Sequence, residues 1–254
     1  MTRFEDKELT RNDFLGGRVR LLQPEAGYRA GVDPVFLAAS VPARTGQSVL
    51  ELGCGAGAAI LCLSARVPGL KLTGVELQPA YADLARRNAE MNGVDLDLVE
   101  ADLTALPTAI RQRQFDHVIA NPPYYRAGAH SRANDTGRSI ALGEDTPLQD
   151  WISVAAKRLA PQGYLHMIQK ADRLPDMIVA CTGGLGSVEV LPLCARTGRE
   201  AELVILRARK GGRAAFRLHA PLILHKGERH ETDGESYTEQ VSAVLRQAAP
   251  LPRF

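Results

Sequence analysis

Several things are scarce or missing in this 254-residue chain, and each absence excludes a class of protein. No run of eighteen apolar residues occurs, so no membrane-spanning helix is expected. The first residues, MTRFEDKELTRNDFLGGRVRL, are charged and lack an apolar stretch with a small-residue cleavage site, which reads against a secretory leader. Cys54, Cys62, Cys181 and Cys194 form no C-x-x-C pair. That excludes a zinc ribbon or dense disulfide framework and suits reduced thiols in a cytoplasmic protein. His117, His130, His166, His219, His225 and His230 form no H-E-x-x-H pattern, so no metal is expected. Net charge is also scarce: 31 Lys+Arg against 29 Asp+Glu leave +2, too little to mark a polybasic nucleic-acid binder by composition.

What is present is alternation. Short Val/Ile/Leu-rich runs at 48–52, 71–76, 97–101, 115–120 and 164–168 read as buried strands. Amphipathic runs at 58–66, 79–92, 104–111, 148–160 and 172–182 read as helices. Pro79 opens its helix and Asn92-Gly93 closes it. Strand–helix alternation implies parallel strands joined by helical crossovers. Strand-like runs at 187–193 and 202–207 are joined by too short a link for a crossover, so they should pair antiparallel. The expected fold is therefore α/β: a Rossmann-like, doubly wound, mostly parallel sheet with a terminal antiparallel hairpin. It forms one domain, with 47–210 as core and 1–46 and 211–254 as extensions. Lys226 onward to 235 reads as a loop, with a last helix near 237–247.

Three acidic or glycine-rich features fall at strand ends. Glu51-Leu52-Gly53-Cys54-Gly55-Ala56-Gly57 leaves a strand and enters a helix. Its glycines allow a tight turn and close ligand approach, and the helix start offers free N–H donors. Glu76 ends the second strand, where a carboxylate can accept from both ribose hydroxyls. Asp102 ends the third, within reach of an adenine amine; a helix N-cap is its structural alternative. NAD and S-adenosylmethionine satisfy this set equally, and Gly53, Gly55 and Ala58 also fit G-x-G-x-x-G/A.

The fourth strand runs into Asn121-Pro122-Pro123-Tyr124. The prolines stiffen the corner and remove its N–H donors, leaving carbonyl acceptors beside the Asn121 side-chain oxygen and the flat face of Tyr124. Such a corner suits a planar group bearing an NH₂. Two acceptors on its hydrogens favour the pyramidal, nucleophilic nitrogen, whereas hydride transfer has no use for them.

These residues resemble the class I S-adenosylmethionine-dependent methyltransferases with an N-P-P-Y motif, and within them the bacterial tRNA1(Val) adenine-N6 methyltransferase family. Gly31-Val32-Asp33 with Val35-Phe36-Leu37, the doubled Tyr124-Tyr125, the Arg132 to Arg138 loop, a helix near Trp151, and Leu222-Ile223-Leu224 with Tyr237 carry the likeness. Val32 stands where that family has Thr. The resemblance implies that S-adenosylmethionine lies against Asp33, Glu51, Gly53, Cys54, Gly55, Gly57, Glu76, Leu77, Asp102, Leu103 and Asn121. Asp33 and Glu51 would lie near its ammonium; capping of a helix from Pro34 is the alternative for Asp33. It also implies that Asn121, Pro122, Pro123 and Tyr124 are catalytic, and that Tyr125, Arg126, Arg132 and Arg138 meet the substrate.

The expected reaction is therefore methylation of adenine N6 in RNA, tRNA first. The alternatives are guanine N2 of rRNA, adenine N6 of DNA, a protein glutamine amide, a nicotinamide enzyme, or a non-catalytic RNA-binding module. The glutamine enzymes carry a helical N-terminal domain for which the early glycine turn leaves little length. Charge by position favours nucleic acid. Residues 196–217 carry seven basic against two acidic residues (+5), and 126–138 carry three against one (+2), so the rest of the chain totals −5. Trp151 reads as core.

Overall fold

A computed structural model describes residues 3–126, 143–144, 146–227 and 236–251; at 125, 126, 143 and 144 only the backbone is described. The chain begins with an antiparallel hairpin, β1 (Leu9–Phe14) and β2 (Val19–Pro24), then helix α1 (Asp33–Ser40). Alternation follows through β3 (Ser48–Leu52), α2 (Ala58–Arg66), β4 (Lys71–Glu76), α3 (Pro79–Met91), β5 (Leu96–Glu100), α4 (Thr108–Arg111) and β6 (Phe115–Ala120). Short strands β7 (Tyr125–Arg126) and β8 (Gly143–Glu144) pair with each other. Next come α5 (Leu148–Arg158), β9 (Leu159–Lys170), α6 (Leu174–Cys181) and the long hairpin of β10 (Leu185–Cys194) and β11 (Ala201–Lys210). β12 (Arg217–Leu218), β13 (Leu222–Ile223) and α7 (Glu239–Gln247) close the described chain.

The main sheet runs β12-β10-β11-β9-β6-β3-β4-β5, with β13 also on β10. From β9 to β5 every pairing is parallel, and β11 is antiparallel to both β9 and β10, as the short link requires. The chain winds outward from β3 to β5 and then returns to the other side of β3 as β6. The carboxyl ends of β3 and β6 therefore flank the switch point, where open α/β sheets place their ligands. Strand residues alternate between two cores: Val49, Ile119 and Ile168 pack on one face with α1, α2 and α7. Leu50, Val118 and Leu165 pack on the other with α5. Burial on both faces explains why these strands read as near-continuous apolar runs.

Four features depart from the expected boundaries. The helix expected at 104–111 is split into a 3-10 turn (Leu103–Ala105) and α4, because Pro107 forces Leu106 into extended backbone (ψ 139°). The helix expected at 172–182 opens with a 3-10 turn (Ala171–Arg173) that runs directly into α6; Leu174 keeps helical backbone (φ −56°, ψ −41°) and Pro175 sits in the tolerated first turn. β9 reaches well beyond 164–168: β11 carries it on to Lys170, and a pairing of Leu159 with Phe115 of β6 extends it backward. Its pairing with β6 slips between Phe115 and His117 near Pro161, whose missing N–H hides the strand in the sequence.

The fourth is the N-terminal hairpin, which no local pattern announces because β1 is largely polar. Two asparagines of α3 dock it. Asn88, fully buried, accepts from Leu22 N–H through Oδ1 (2.8 Å). Its Nδ2 donates to the carbonyls of Leu22 (3.0 Å) and Ala56 (2.9 Å). Asn92 repeats the arrangement on Arg20 (2.9 and 2.7 Å). These amides act as a substitute strand for β2, and so fix where residues 23–34 cross the sheet.

Candidate active site

At the switch point lies a cavity of about 840 Å³. Its floor is the turn after β3. Gly53, Gly55 and Gly57 hold φ of +63°, +53° and +85°, backbone that suits glycine. At Gly53 there is a second reason: a Cβ would lie 2.5 Å from the Trp151 ring, which packs directly over the turn. Trp151 is thus core, as expected, and a wall of the cavity as well. Gly57 does not line the cavity; it starts α2 and lies against Leu61 and Ala85.

Carboxylates dominate the lining. Glu25, Asp33, Glu51, Glu76 and Asp102 face Arg29 as the one basic side chain among the described lining residues. Glu76 accepts from the N–H groups of Gly55 (2.8 Å) and Gln78 (2.9 Å), one on each oxygen. Glu51 accepts from Ile60 N–H (3.0 Å) in the first turn of α2. Burial pushes the Asp33, Glu51 and Glu76 carboxyls above their ordinary range, against their hydrogen bonds. No ion pair relieves any of the three among the described residues, an arrangement whose electrostatic complement is a cation. Asp102 caps the 3-10 turn through Oδ1, which binds Thr104 N–H (2.7 Å), so the capping alternative holds for one oxygen. Leu77 and Leu103 also line the cavity, and Leu77 is exposed despite its size.

The roof is residues 23–34. The Tyr81 hydroxyl accepts from Tyr28 N–H (2.8 Å) and donates to Tyr28 C=O (3.1 Å), while buried Gln23 binds Ala30 N–H (2.7 Å). Tyr28 turns its ring toward Gly55, and burial beside Asp33 and Glu51 raises its phenol. Asp33 does not cap α1, whose N-cap is Val32. Its carboxylate instead accepts from the Tyr124 hydroxyl (2.6 Å), tying the roof to the end of β6. Burial and Asp33 together raise the Tyr124 phenol, so it stays a donor.

Asn121, Pro122, Pro123 and Tyr124 all line the cavity, next to Asp33 and Glu51 rather than apart from them. The Asn121 Oδ1 atom is buried and has no hydrogen-bond partner among the described residues. The corner itself is held from behind by Gln169 of β9, which the sequence reading did not single out. Neither Gln169 nor Tyr28 carries a local signal, because each meets the site only through strand register or roof docking. The side chains of Tyr125 and Arg126, and all of Arg132 and Arg138, lie outside the described residues.

The basic stretch 196–217 does not lie on one side. Cys194 pairs with Ala201, and Leu203 with Lys170, which puts Arg196 and Arg199 at the cavity edge of the sheet. Arg209 is level with Tyr164 and His117, which places Arg209, Lys210 and Arg213 toward the opposite edge. Several of these cations are engaged: Arg207 with Glu189, Arg209 with Gln162, Lys210 with the Leu159 carbonyl. The summed charge therefore overstates what faces the cavity.

A doubly wound sheet with a glycine turn after β3, an acid after β4 and a terminal antiparallel hairpin has the architecture of a class I methyltransferase. The chain belongs to the methyltransferase small domain family, whose model matches residues 30–180. It is 36% identical over 156 residues to a tRNA1(Val) (adenine(37)-N6)-methyltransferase of Porphyromonas gingivalis, covering 59% of this chain and 58% of that protein. It is 30% identical over 171 residues to a release factor glutamine methyltransferase of Deinococcus radiodurans, covering 65% and 58%. The chain thus spans 58% of the length of each of these two relatives. A crystal structure from Agrobacterium tumefaciens, described as a predicted O-methyltransferase, superposes with a TM-score of 0.70 at 28% identity, over 86% of this chain and 98% of that one.

Proposed function

We propose that this protein transfers a methyl group from S-adenosylmethionine to the exocyclic N6 amine of adenine in RNA, with tRNA as the substrate class. The unpartnered, buried Oδ1 of Asn121 at the end of β6 carries the reading. A buried acceptor without a donor costs about 1–3 kcal/mol, and a substrate N–H is what would satisfy it.

The cavity fits the cofactor. S-adenosylmethionine supplies, when bound, an electrophilic methyl on a positively charged sulfonium, and it also carries an ammonium. Asp33 and Glu51 would hold the ammonium, Glu76 the ribose hydroxyls through its remaining lone pairs, and Asp102, Leu77 and Leu103 the adenine. Five carboxylates against one guanidinium suit a ligand with two cationic centres, the sulfonium and the ammonium. The carboxylates would repel the pyrophosphate of a dinucleotide, which speaks against the nicotinamide alternative.

At the corner, Asn121 Oδ1 and the Pro122 carbonyl accept the two amine hydrogens and localise the lone pair on nitrogen. Tyr124, held by Asp33, offers its ring to the base plane. No strong general base is needed, because the nitrogen becomes acidic once alkylated. The likeness to the P. gingivalis tRNA enzyme favours adenine in tRNA. The likeness to the D. radiodurans enzyme keeps a glutamine amide as a second reading, since an amide presents the same planar NH₂. Tritium transfer from labelled S-adenosylmethionine to tRNA, rRNA, DNA and protein, followed by nucleoside analysis, tests this. N6-methyladenosine in tRNA is the expected product. Label confined to protein would replace this reading with the amide one.

A further inference from the structure

We propose that Gln169 is a positioning residue for the catalytic corner, fixing the Pro122 and Pro123 carbonyls and thereby the direction from which the acceptors meet the amine. The proposal rests on the methyl-transfer reading above and names the residue that prepares that site. Prolines at 122 and 123 have no N–H, so at these two positions the main chain can be held only through its carbonyls. The Gln169 amide nitrogen Nε2 lies 3.3 Å from the Pro122 oxygen and 3.2 Å from the Pro123 oxygen, and donates to both. Its Oε1 accepts the N–H of Lys170 at 2.9 Å. That pattern admits one amide orientation, because the reverse would set an oxygen against two carbonyls.

Gln169 is fully buried, and its position follows from register: Met167 pairs with Ala120, so the strand carries Gln169 alongside the residues after β6. A carbonyl has two acceptor directions. Gln169 takes one at Pro122, which leaves the other for a substrate hydrogen. An acceptor fixed in advance needs no reorganisation as the nitrogen pyramidalises, so the effect belongs to kcat rather than to substrate affinity.

Gln169→Leu removes both donors at similar volume, and Gln169→Glu replaces them with a carboxyl that donates only when protonated. Both are assayed beside wild type on the same tRNA pool, with calorimetric binding of S-adenosylmethionine. Expected are a 10- to 100-fold fall in kcat, with KM for RNA within about threefold and cofactor Kd within twofold of wild type. Turnover of the Glu variant should recover as pH falls, unlike that of the Leu variant. In ¹⁵N spectra of the cofactor-free protein, the wild-type side-chain amide signal that the Leu variant lacks should exchange slowly with solvent. Unchanged kcat in both variants, a loss residing wholly in cofactor affinity, or a rapidly exchanging amide would overturn the role of Gln169. A wild type that methylates no nucleic acid would instead overturn the parent reading.

Discussion

Asn121 and the cavity carboxylates make different demands on the same cavity. On the proposed reading the unpartnered Asn121 Oδ1 accepts from the reacting group, so Asn121→Ala should cut turnover by about two to three orders of magnitude. Calorimetry should then show cofactor affinity within twofold of wild type; a parallel loss of affinity would move Asn121 out of the amine site. Asp33, Glu51 and Glu76 are raised by burial, so in the free protein a fraction stays protonated above the usual carboxylate range. A cationic ligand with ribose hydroxyl donors binds the ionised forms. Affinity should therefore fall as pH drops through the raised values, and binding should release protons. Titrations in two buffers of different ionisation enthalpy measure that release; no buffer dependence would count against the carboxylates as the ammonium and ribose partners.

Among the elements, α3 does more than cover the sheet. Asn88 makes two hydrogen bonds that give β2 a partner in place of a strand and a third to the Ala56 carbonyl, and the roof at 23–34 hangs from that docking. Asn88→Ala should cost about 3 kcal/mol by urea denaturation, since it leaves part-buried backbone groups of Leu22 and the buried Ala56 carbonyl without their partner. It should also weaken the cofactor several-fold, although Asn88 does not line the cavity. Stability lost without any change in affinity would show that the roof holds its place independently of the hairpin.

Across the whole molecule, the end of the sheet opposite the cavity carries a buried histidine pair. His117 Nδ1 lies 3.4 Å from His166 Nε2, and His117 Nε2 lies 3.3 Å from Gln47 Oε1. Burial depresses both rings, with Arg66 and Arg207 adding to it, and holds His117 at about 4. Below about pH 6.5 the unfolded chain binds protons that the native His117 refuses. Its contribution to stability is intact above that pH and is lost as pH falls toward 4, by about 3 kcal/mol in all. The raised carboxylates shift stability the opposite way, so the measurement is the difference between wild type and His117→Gln. The wild type should lose its advantage in urea midpoint between pH 7 and 4.5. The two edges of the sheet make a second comparison. Arg199→Glu, at the cavity edge, should weaken RNA binding and flatten its salt dependence, whereas Arg213→Glu should do less. Equal effects would mean that RNA spans both edges.

Strand–helix order, the parallel core, the antiparallel hairpin and the corner at Asn121 are all determined by the sequence alone. Each follows from a local rule: burial on both faces makes strands continuously apolar, a short link cannot cross over, and proline removes donors. The helix break at Pro107 was open to the same kind of reading. The strand through Pro161 was not, because residues 160–163 pair with neither neighbour and only the single pairing of Leu159 with Phe115 beyond them extends the strand. Only the tertiary structure decided which groups meet across the chain. It joined Tyr124 to Asp33, set Gln169 behind the two prolines, hung the roof from Asn88 and divided one basic run between two edges of a sheet. Those contacts join residues as far as 91 positions apart. Their geometry is fixed by sheet register and side-chain docking, which leave no periodic trace in the segments they connect.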